Sequence, residues 1–411
     1  MSGINTLLLA LMLAGMLACA AVAGEANRVT TQSCFADPTT MVSDLSARVG
    51  ASQLKQRQAE LRGKRLGLVV NQSSRLGHCH LVDVLDELGL QVTVIFTPEH
   101  GFRGDADAGA AVADSRDQHS GVPIYSLYGA QKAPSPTQLA QVDLILFDLQ
   151  DVGTRFYTYL STLHYVMQAA ASAKIPLWLL DRPNPNGRWL DGPLLQAEFS
   201  SFVGLHPIPL LHGMTLGELA LMIKGESWII NSNALTLTVL PIANYRRDLP
   251  YDLPVPPSPN LPNRQSIAWY PTLALFEGTP VSVGRGTAWP FQLAGHPLLL
   301  ENPATWALTP VSTPGAALNP PWRDSLIGAE DFRAELPEHG LMVEVWLAWQ
   351  TRFKAKGMTL IDKPAFFDKL AGTDQLRQQL EQQQTAAQIR QSWKEGLASF
   401  ARRRAPYLLY P

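Results

Sequence analysis

The sequence predicts an α/β fold in which a doubly wound parallel sheet forms the first domain and a smaller mixed α+β domain follows. Between residues 65 and 180, four short apolar runs alternate with loops and helical patterns. The runs are apolar throughout instead of alternating, which is typical of parallel strands covered by helices on both faces. Such alternation of strands and helices favours a doubly wound sheet, whose ligands bind beyond the carboxyl ends of the strands.

Each element of the first domain follows from a local pattern. A helix is predicted over 81–88, where leucine and valine recur at helical spacing before Gly89, and a second helix over about 156–173. Polar side chains stand at the strand ends, where they serve either as helix caps or as ligand contacts. The four strands are predicted at 65–70, 92–96, 142–147 and 176–180.

A proline-rich segment at about 245–264 predicts the domain boundary, which gives a first domain at 45–245 and a second at 246–411. Residues 341–349 are interpreted as a strand. A capping box is expected at 385–388, because a threonine precedes a glutamine by three residues. One apolar face of the helix that follows is formed by Ile389, Trp393, Leu397 and Phe400.

The first residues indicate export. An apolar run from Leu7 to Ala23, with no charged residue before Glu25, is too short to cross a bilayer comfortably and ends in small residues. We therefore predict a signal peptide over 1–23 and a periplasmic location. The alternative is a lipoprotein signal that leaves Cys19 acylated. Membrane contact is expected only through the signal or this lipid anchor.

Two further cysteines remain once Cys19 leaves with the signal or carries lipid. Cys34 and Cys79 then form an even pair in an oxidising compartment. A disulfide between them, which would hold the N-terminal segment, is one interpretation. Two unrelated thiols are the other.

Several functional classes find no support in the sequence. The net charge is −2, from 33 basic and 35 acidic residues, so no large basic field exists for nucleic acid. The glycine-rich nucleotide fingerprint, the phosphate loop and the G-x-S-x-G pattern of serine hydrolases do not occur. Residues 78–80 alternate histidine and cysteine without zinc spacing. We therefore predict no metal and no cofactor, and the oligomeric state stays open.

Carboxylates at strand ends are the leading catalytic candidates. Hydrolysis of a glycoside needs a proton donor with a raised pKa and a second group that acts on the anomeric carbon or on a water. Glu99 follows an apolar strand inside a stiff loop, where burial would raise its pKa and suit it to be the donor. Its structural alternative is a helix cap or an ion pair with Arg103. The candidates for the second group are Asp148, Asp151 and Glu277.

Four arginines in the same loops favour an anionic ligand, because guanidinium groups bind carboxylates and phosphates. The alternative is that they pair with neighbouring aspartates. Asparagine side chains suit hydroxyl and acetamido groups, and aromatic side chains such as Phe156, Tyr157 and Tyr270 could stack on sugar rings. The predicted substrate-binding residues are Asn71, His100, Arg103, Arg155, Tyr157, Asp181, Arg182, Asn184, His212, Asn260 and Arg285.

These loops, as an ordered set, resemble the NamZ-like exo-β-N-acetylmuramidases, a former domain-of-unknown-function family of peptidoglycan-recycling glycoside hydrolases. The resemblance extends from about Gly67 to the C-terminus, so it is nearly full-length. Among the stretches that carry it are TPEHGFRGD at 97–105, PIYSLYG at 123–129, FDLQDVGTRFYTY at 147–159, LDRPNPNG at 180–187, PPSPNLPN at 256–263, FEGT at 276–279 and VGRGT at 283–287.

The resemblance implies an enzyme that releases N-acetylmuramic acid from the non-reducing end of peptidoglycan fragments, without a metal. It implies a Rossmann-like domain joined to a smaller C-terminal domain, with the cleft between them. An anionic substrate would account for the arginines, because muramic acid carries a lactyl carboxylate. Retention and inversion both stay open. The alternatives are a non-catalytic muropeptide-binding envelope protein and a hydrolase of another anionic sugar.

Overall fold

The computed structural model describes residues 33–35, 48–103, 114–301 and 305–411. The signal peptide predicted for 1–23, with Cys19, lies outside the described residues. Within the described ranges, no helix is long and apolar enough to cross a bilayer.

The regular elements alternate along the first half of the chain and become mainly helical in the second. The strands are β1 (Leu66–Val70), β2 (Arg75–Leu76), β3 (Cys79–His80), β4 (Val92–Thr97), β5 (Ser115–Arg116), β6 (Pro123–Ser126), β7 (Leu144–Asp148), β8 (Leu177–Leu180), β9 (Asp191–Leu194), β10 (Pro209–Leu211), β11 (Leu237–Leu240), β12 (Leu293–His296), β13 (Trp306–Leu308) and β14 (Ile327–Asp331). The helices are α1 (Gln58–Leu61), α2 (Leu81–Glu87), α3 (Pro136–Leu139), α4 (Tyr159–Ala173), α5 (Leu216–Gly225), α6 (Arg264–Leu273), α7 (Val343–Ala355), α8 (Pro364–Ala371), α9 (Gln375–Glu381) and α10 (Ala386–Arg404).

The large sheet has seven strands in the order β11-β8-β7-β1-β4-β6-β5. All neighbours pair in parallel except the short edge strand β5, which is antiparallel to β6. The first strand of the sheet in chain order, β1, lies in its middle. The strands β4 and β6 follow on one side of β1, and β7, β8 and β11 are then added on the other side. Strand order therefore reverses beside β1, which is the usual position of a ligand cleft in such sheets. The four strands predicted from sequence are β1, β4, β7 and β8, so the doubly wound α/β fold is confirmed.

One apolar core continues from the large sheet into the C-terminal part. Phe147 of β7 and Leu163 of α4 belong to the same cluster of buried side chains as Trp346 and Phe353 of α7. Leu68 of β1 points to the other face, where a second cluster packs beneath α2. Both faces of the central strands are thus buried, which explains why their sequences are apolar throughout. The domain boundary near residue 245 stays a prediction.

The C-terminal part contains a small antiparallel sheet, ordered β12-β14-β13, and helices α6 to α10. The strand predicted at 341–349 is wrong, because α7 occupies those residues from Val343 onward. Trp346, Trp349 and Phe353 are buried on one side at helical spacing. A short apolar run fits either element, and the continued period of three to four residues decides for the helix.

The last helix, α10, begins as its sequence predicts. The Thr385 hydroxyl accepts from the Gln388 backbone amide, and the Gln388 side chain accepts from the Thr385 amide. This reciprocal capping satisfies two backbone donors that a helix start would otherwise leave free. Of the predicted apolar face, Ile389, Trp393 and Phe400 are buried, and Leu397 is partly buried against the same core.

A disulfide joins Cys34 to Cys79, so the paired interpretation of these cysteines is confirmed. The bond holds residues 33–35 against the β3–α2 region. The Glu87 carboxylate of α2 adds to this attachment, because it accepts hydrogen bonds from the Ser33 hydroxyl and the Cys34 amide.

Candidate active site

A cleft of about 340 Å³ opens beyond the carboxyl ends of β4, β6 and β7. Its volume is in the range of small-molecule sites. The walls come from the loops after these strands, from the proline-rich segment and from the C-terminal part. The lining residues are Glu99, His100, Tyr128, Phe156, Tyr157, Thr158, Val203, Ser258, Asn260, Leu261, Tyr270, Glu277, Arg285, Phe291, Phe366 and Leu370.

The loop after β4 turns sharply just after Glu99. His100 and Gly101 both have left-handed backbone conformations, with φ of 72° and 76°. This conformation is costly for a residue with a side chain and is held only where the surroundings enforce it. Here the buried His100 ring lies with its Nε2 atom 3.1 Å from the Ser258 hydroxyl of the proline-rich segment. The turn positions the Glu99 side chain at the cleft.

Two hydroxyl groups hold the half-buried Glu99 carboxylate. Thr158, immediately before α4, donates from Oγ1 to Glu99 Oε2 at 2.8 Å. The Tyr128 hydroxyl forms the second hydrogen bond. Burial, and after it the nearby charge of Glu99, raise the pKa of Tyr128, so this phenol stays protonated and remains a donor. The carboxylate is therefore fixed in orientation and open to a ligand in the cleft.

Aromatic rings form much of the remaining wall. Tyr157 donates from its hydroxyl to the Pro257 carbonyl at 2.9 Å, which ties the wall to the proline-rich segment. The Tyr270 ring meets Phe156 edge-on at 5.3 Å between centroids and Phe291 at 4.8 Å. Edge-to-face packing of this kind makes a rigid apolar surface that can contact a sugar ring and exclude water.

An ion pair between Arg285 and Glu277 lies on the wall formed by the C-terminal part. Both the Nε and an Nη of Arg285 approach the same Glu277 oxygen, at 2.8 and 2.7 Å. The guanidinium also lies 5.0 Å from the centre of the Phe291 ring. The two side chains are about one-fifth to one-quarter exposed. Within the described part of the chain, Arg285 is the only lysine or arginine that lines the cleft. It therefore places a positive charge, paired with Glu277, on this wall.

Asp148 and Arg182 form a fully buried ion pair away from the lining residues. Arg182 donates from Nε and Nη2 to the two Asp148 oxygens, and Nη2 also reaches the Arg75 carbonyl at 2.8 Å. The Ser74 hydroxyl donates to the Asp148 carbonyl. The pair therefore joins the ends of β7 and β8 to the β1–β2 connection.

Arg155 is also buried away from the cleft surface, where its guanidinium donates to four backbone carbonyls. These belong to Pro193, Ile208, Leu370 and Ala371, at 2.6 to 3.0 Å. The last two lie at the end of α8, where unpaired carbonyls favour a cation.

Gly372, which follows α8, makes room for this contact. A Cβ atom there would lie 2.4 Å from an Arg155 nitrogen, and its φ of 78° also favours glycine. Burial lowers the pKa of Arg155 to about 9.

Asp181 ties the C-terminal segment to the end of β8. Its carboxylate accepts from the Tyr410 hydroxyl at 2.6 Å, the Thr215 hydroxyl at 2.7 Å and the Gly217 amide at 2.9 Å. Burial raises the pKa of Asp181 to about 7, although the hydroxyl donors lower it. These contacts account for Asp181 as a structural anchor.

Two of the asparagines predicted to bind substrate, and Arg103, do not line the cleft. Asn71 donates to the Tyr159 hydroxyl at 2.8 Å, and Asn184 donates to the Met214 carbonyl at 2.9 Å. Both are buried outside the lining set. Arg103 is 67% exposed and lies 3.2 Å from Asp117. Of the predicted binding residues, the structure brings His100, Tyr157, Asn260 and Arg285 to the cleft.

Asp151 and His212 lie together in the interior. The Asp151 Oδ2 atom accepts from the Gly153 amide at 2.6 Å and lies 4.0 Å from His212 Nε2. Burial lowers the pKa of His212 to about 3, so the ring is neutral and the contact is not an ion pair. Burial raises the pKa of Asp151 to about 7, although the Gly153 and Val152 amides act against it.

This environment predicts that Asp151→Asn flattens the pH dependence of stability. The native pKa of Asp151 lies above its unfolded value of about 4, so its contribution is full at low pH and is lost as the pH rises through about 7. As the pH rises from 4 to 8, the stability of the variant should therefore increase relative to that of wild type. Melting temperatures across that range measure it. Asp181 is shifted in the same direction, so some slope remains.

The matched control is Asp252→Asn, which changes a carboxylate that is 70% exposed. It should leave the pH profile parallel to that of wild type. If the pH profile of Asp151→Asn were also parallel to that of wild type, the pKa of Asp151 would be the same in the native and unfolded protein. The burial argument would then be wrong.

Sequence reasoning did not select several lining residues. Tyr128, Thr158 and Ser258 lie in motifs that the family resemblance includes, but each is a common polar residue whose partner is far away in sequence. Phe366 and Leu370 come from α8. Their contribution depends on how the C-terminal part packs, for which a local pattern gives no signal. Among the described residues, no group of three or more His, Cys, Asp or Glu side chains is arranged to hold a metal ion.

Comparison with known proteins agrees with this architecture. Family models of the exo-β-N-acetylmuramidase NamZ match residues 66–265 (N-terminal domain) and 268–410 (C-terminal domain). The chain is 39% identical over 377 residues to the peptidoglycan β-N-acetylmuramidase NamZ of Bacillus subtilis strain 168, covering 85% of this chain and 88% of that protein.

Two crystal structures of DUF1343-family proteins from Bacteroides fragilis are also similar. The first has a TM-score of 0.80 and 40% identity, covering 88% of this chain and 98% of that one. The second has a TM-score of 0.73 and 27% identity, covering 89% of this chain and 100% of the other. By its sequence across both domains, the chain belongs to the NamZ exo-β-N-acetylmuramidase family.

Proposed function

We propose that this protein is an exo-β-N-acetylmuramidase that hydrolyses terminal non-reducing N-acetylmuramic acid from peptidoglycan fragments. The observation that carries the proposal is the Glu99 carboxylate, held by Tyr128 and Thr158 at a cleft with aromatic walls. Membership of the NamZ family supplies the reaction and the substrate class.

In this proposal Glu99 is the general acid that protonates the leaving glycosidic oxygen. Of the four carboxylates considered from sequence, only Glu99 and Glu277 line the cleft. Glu277 is therefore the favoured second group, acting on the anomeric carbon or on a water. Its ion pair with Arg285 holds the Glu277 side chain on the wall of the cleft. Asp148 is paired with Arg182, and Asp151 is buried outside the lining set.

The test is release of N-acetylmuramic acid from a chromogenic β-N-acetylmuramide by the pure protein. Rapid release, with none from the α-anomer, would support the function. If the protein bound muramyl sugars without releasing them, the muropeptide-binding alternative would replace it. Turnover of other anionic glycosides but not of muramides would favour the second alternative.

Arg285 is expected to recognise the lactyl carboxylate that distinguishes muramic acid from glucosamine. Replacing it with glutamine should lower kcat/KM for muramides by roughly 10- to 100-fold, because a hydrogen bond to a charged group contributes about 1.5–3 kcal/mol. The loss on the matching glucosaminide, which lacks the carboxylate, should be smaller, because it reflects only the weaker hold on Glu277. The ratio of the two kcat/KM values is the measurement.

Arg103→Gln is the matched control, because it removes an exposed arginine that does not line the cleft. It should leave the ratio unchanged. An equal loss on both substrates in Arg285→Gln would mean that Arg285 acts only by holding Glu277.

We also propose that the protein is exported to the periplasm. The apolar run from Leu7 to Ala23 supports an export signal. The Cys34–Cys79 disulfide adds support, because such bonds persist in oxidising compartments. Attachment through an acylated Cys19 is the alternative to a free protein, and mass spectrometry of the mature N-terminus distinguishes the two.

A further inference from the structure

Three aromatic rings form a row that leads away from the cleft. Tyr128, which lines the cleft, meets Phe202 edge-on with 5.8 Å between ring centroids. Phe202 is followed by Tyr165 of α4 at 6.2 Å, with the two ring planes within 14° of parallel. We call Tyr128, Phe202 and Tyr165 the aromatic row. All three are partly exposed, unlike the buried rings of the core.

The aromatic row is held rigidly, and a positive charge lies beside it. The Ser161 hydroxyl of α4 donates to the Phe202 carbonyl at 2.7 Å, and Ser201 and Gly204 bridge the loop around Phe202. The ammonium group of Lys132, an exposed residue, lies 4.9 Å from the Phe202 ring centre. Partly exposed rings on a fixed loop are suited to stacking on the apolar faces of sugars.

The contact between Tyr128 and Glu99 indicates which part of the substrate lies next to the aromatic row. A general acid must lie next to the oxygen of the leaving group, so the saccharide that leaves begins beside Glu99. Tyr128 hydrogen-bonds to that carboxylate and is also the first ring of the row. The row therefore starts where the leaving saccharide starts.

We propose that the aromatic row is the binding site for the leaving-side saccharide, the part of the glycan beyond the bond that is cut. This inference rests on the proposed function and on Glu99 as the acid. The ligand is a β-linked amino-sugar chain whose rings stack along Phe202 and Tyr165. Lys132 places positive charge where longer fragments carry lactyl or peptide carboxylates. The site makes the enzyme prefer oligosaccharides over single muramides.

The test compares two substrates that differ only on the leaving side. N-acetylmuramyl fluoride has a one-atom leaving group, whereas a tetrasaccharide of alternating N-acetylmuramic acid and N-acetylglucosamine extends along the row. The double variant Phe202→Ala/Tyr165→Ala should lose about tenfold more kcat/KM on the tetrasaccharide than on the fluoride, mainly through KM. An equal loss on both, or no loss on the tetrasaccharide, would overturn the proposal.

A binding measurement separates this inference from the proposed function. Calorimetry measures binding of the tetrasaccharide to Glu99→Gln protein with and without the further substitutions Phe202→Ala and Tyr165→Ala. The protein that carries all three substitutions should bind more weakly, whether or not the wild type hydrolyses the tetrasaccharide. Unchanged affinity would reject the aromatic row as a binding site. The control is Trp306→Ala, which removes another partly exposed ring that stacks on an arginine, Arg333, and should leave both readouts unchanged.

If the double variant fails to fold, the single variant Tyr165→Ala provides the same comparison. Tyr165 lies on the surface of α4, and its removal leaves the Phe202 loop contacts in place. The expected loss is smaller but has the same substrate dependence. A variant that loses activity equally on both substrates counts against the proposal.

Discussion

Replacing Glu99 with glutamine is expected to lower kcat for muramide hydrolysis by about 10²- to 10⁴-fold, the range for loss of a general acid. Glutamine has the same size and still accepts from the Thr158 and Tyr128 hydroxyls, so the cleft should keep its shape. What it lacks is the proton for the leaving oxygen. Steady-state kinetics on an aryl muramide give the loss, and the circular dichroism spectrum should remain that of wild type.

A series of leaving groups distinguishes the acid from other roles. A substrate whose phenol leaves easily needs little protonation, so the deficit of Glu99→Gln should shrink as the leaving group improves. A uniform deficit would assign Glu99 to the nucleophile or base and move the acid to Glu277. Full activity would remove Glu99 from the mechanism. Glu60→Gln is the control, because it changes an exposed carboxylate that does not line the cleft.

Asp148→Ala is expected to destabilise the fold by about 3–5 kcal/mol, the cost of leaving one member of a buried ion pair without its partner. Asp148 and Arg182 are almost completely inaccessible, so water cannot replace the lost carboxylate. The shift in the midpoint of denaturant unfolding measures the effect. Asp148→Asn, which keeps an acceptor for Arg182, should be milder and should retain most of its activity at low temperature.

The control for Asp148 is Asp143→Ala, which breaks the exposed pair with Arg65. Exposed pairs contribute at most about 1 kcal/mol, so the midpoint should move little. If Asp148→Asn were as stable as wild type but inactive, Asp148 would be a catalytic group after all. That outcome would restore the interpretation of Asp148 as the second carboxylate.

The sequence predicts the first half of the fold well because its strands are buried on both faces. A run such as 142–147 is apolar throughout only when helices cover both sides, so its composition records its position in the sheet. The 341–349 segment was harder, because it packs one face against the core and its apolar residues suit a short strand equally well. Whether such a segment forms a helix or a strand depends on contacts with residues that are distant in sequence.

For the site, the sequence identifies the loops but not the direction in which each side chain points. Arg182 and Arg285 both stand in motifs with acidic partners, yet one is sealed in an ion pair and the other faces the cleft. An arginine that binds a ligand and one that neutralises an aspartate use the same chemistry. Only the three-dimensional packing distinguishes the two arginines. Packing also brings Tyr128 and Thr158 to Glu99, so these partners could not be identified from the sequence.

The position of Arg155 limits how this chain can be divided or recombined. A module that can be exchanged between proteins must satisfy its buried polar groups within its own segment. Arg155 finds two of its four acceptors in Leu370 and Ala371, more than 200 residues later. A fragment that ended near residue 265 would keep a buried cation with half its partners, and the other fragment would keep a bare helix end. The two halves are therefore not interchangeable modules, and they should unfold in one transition.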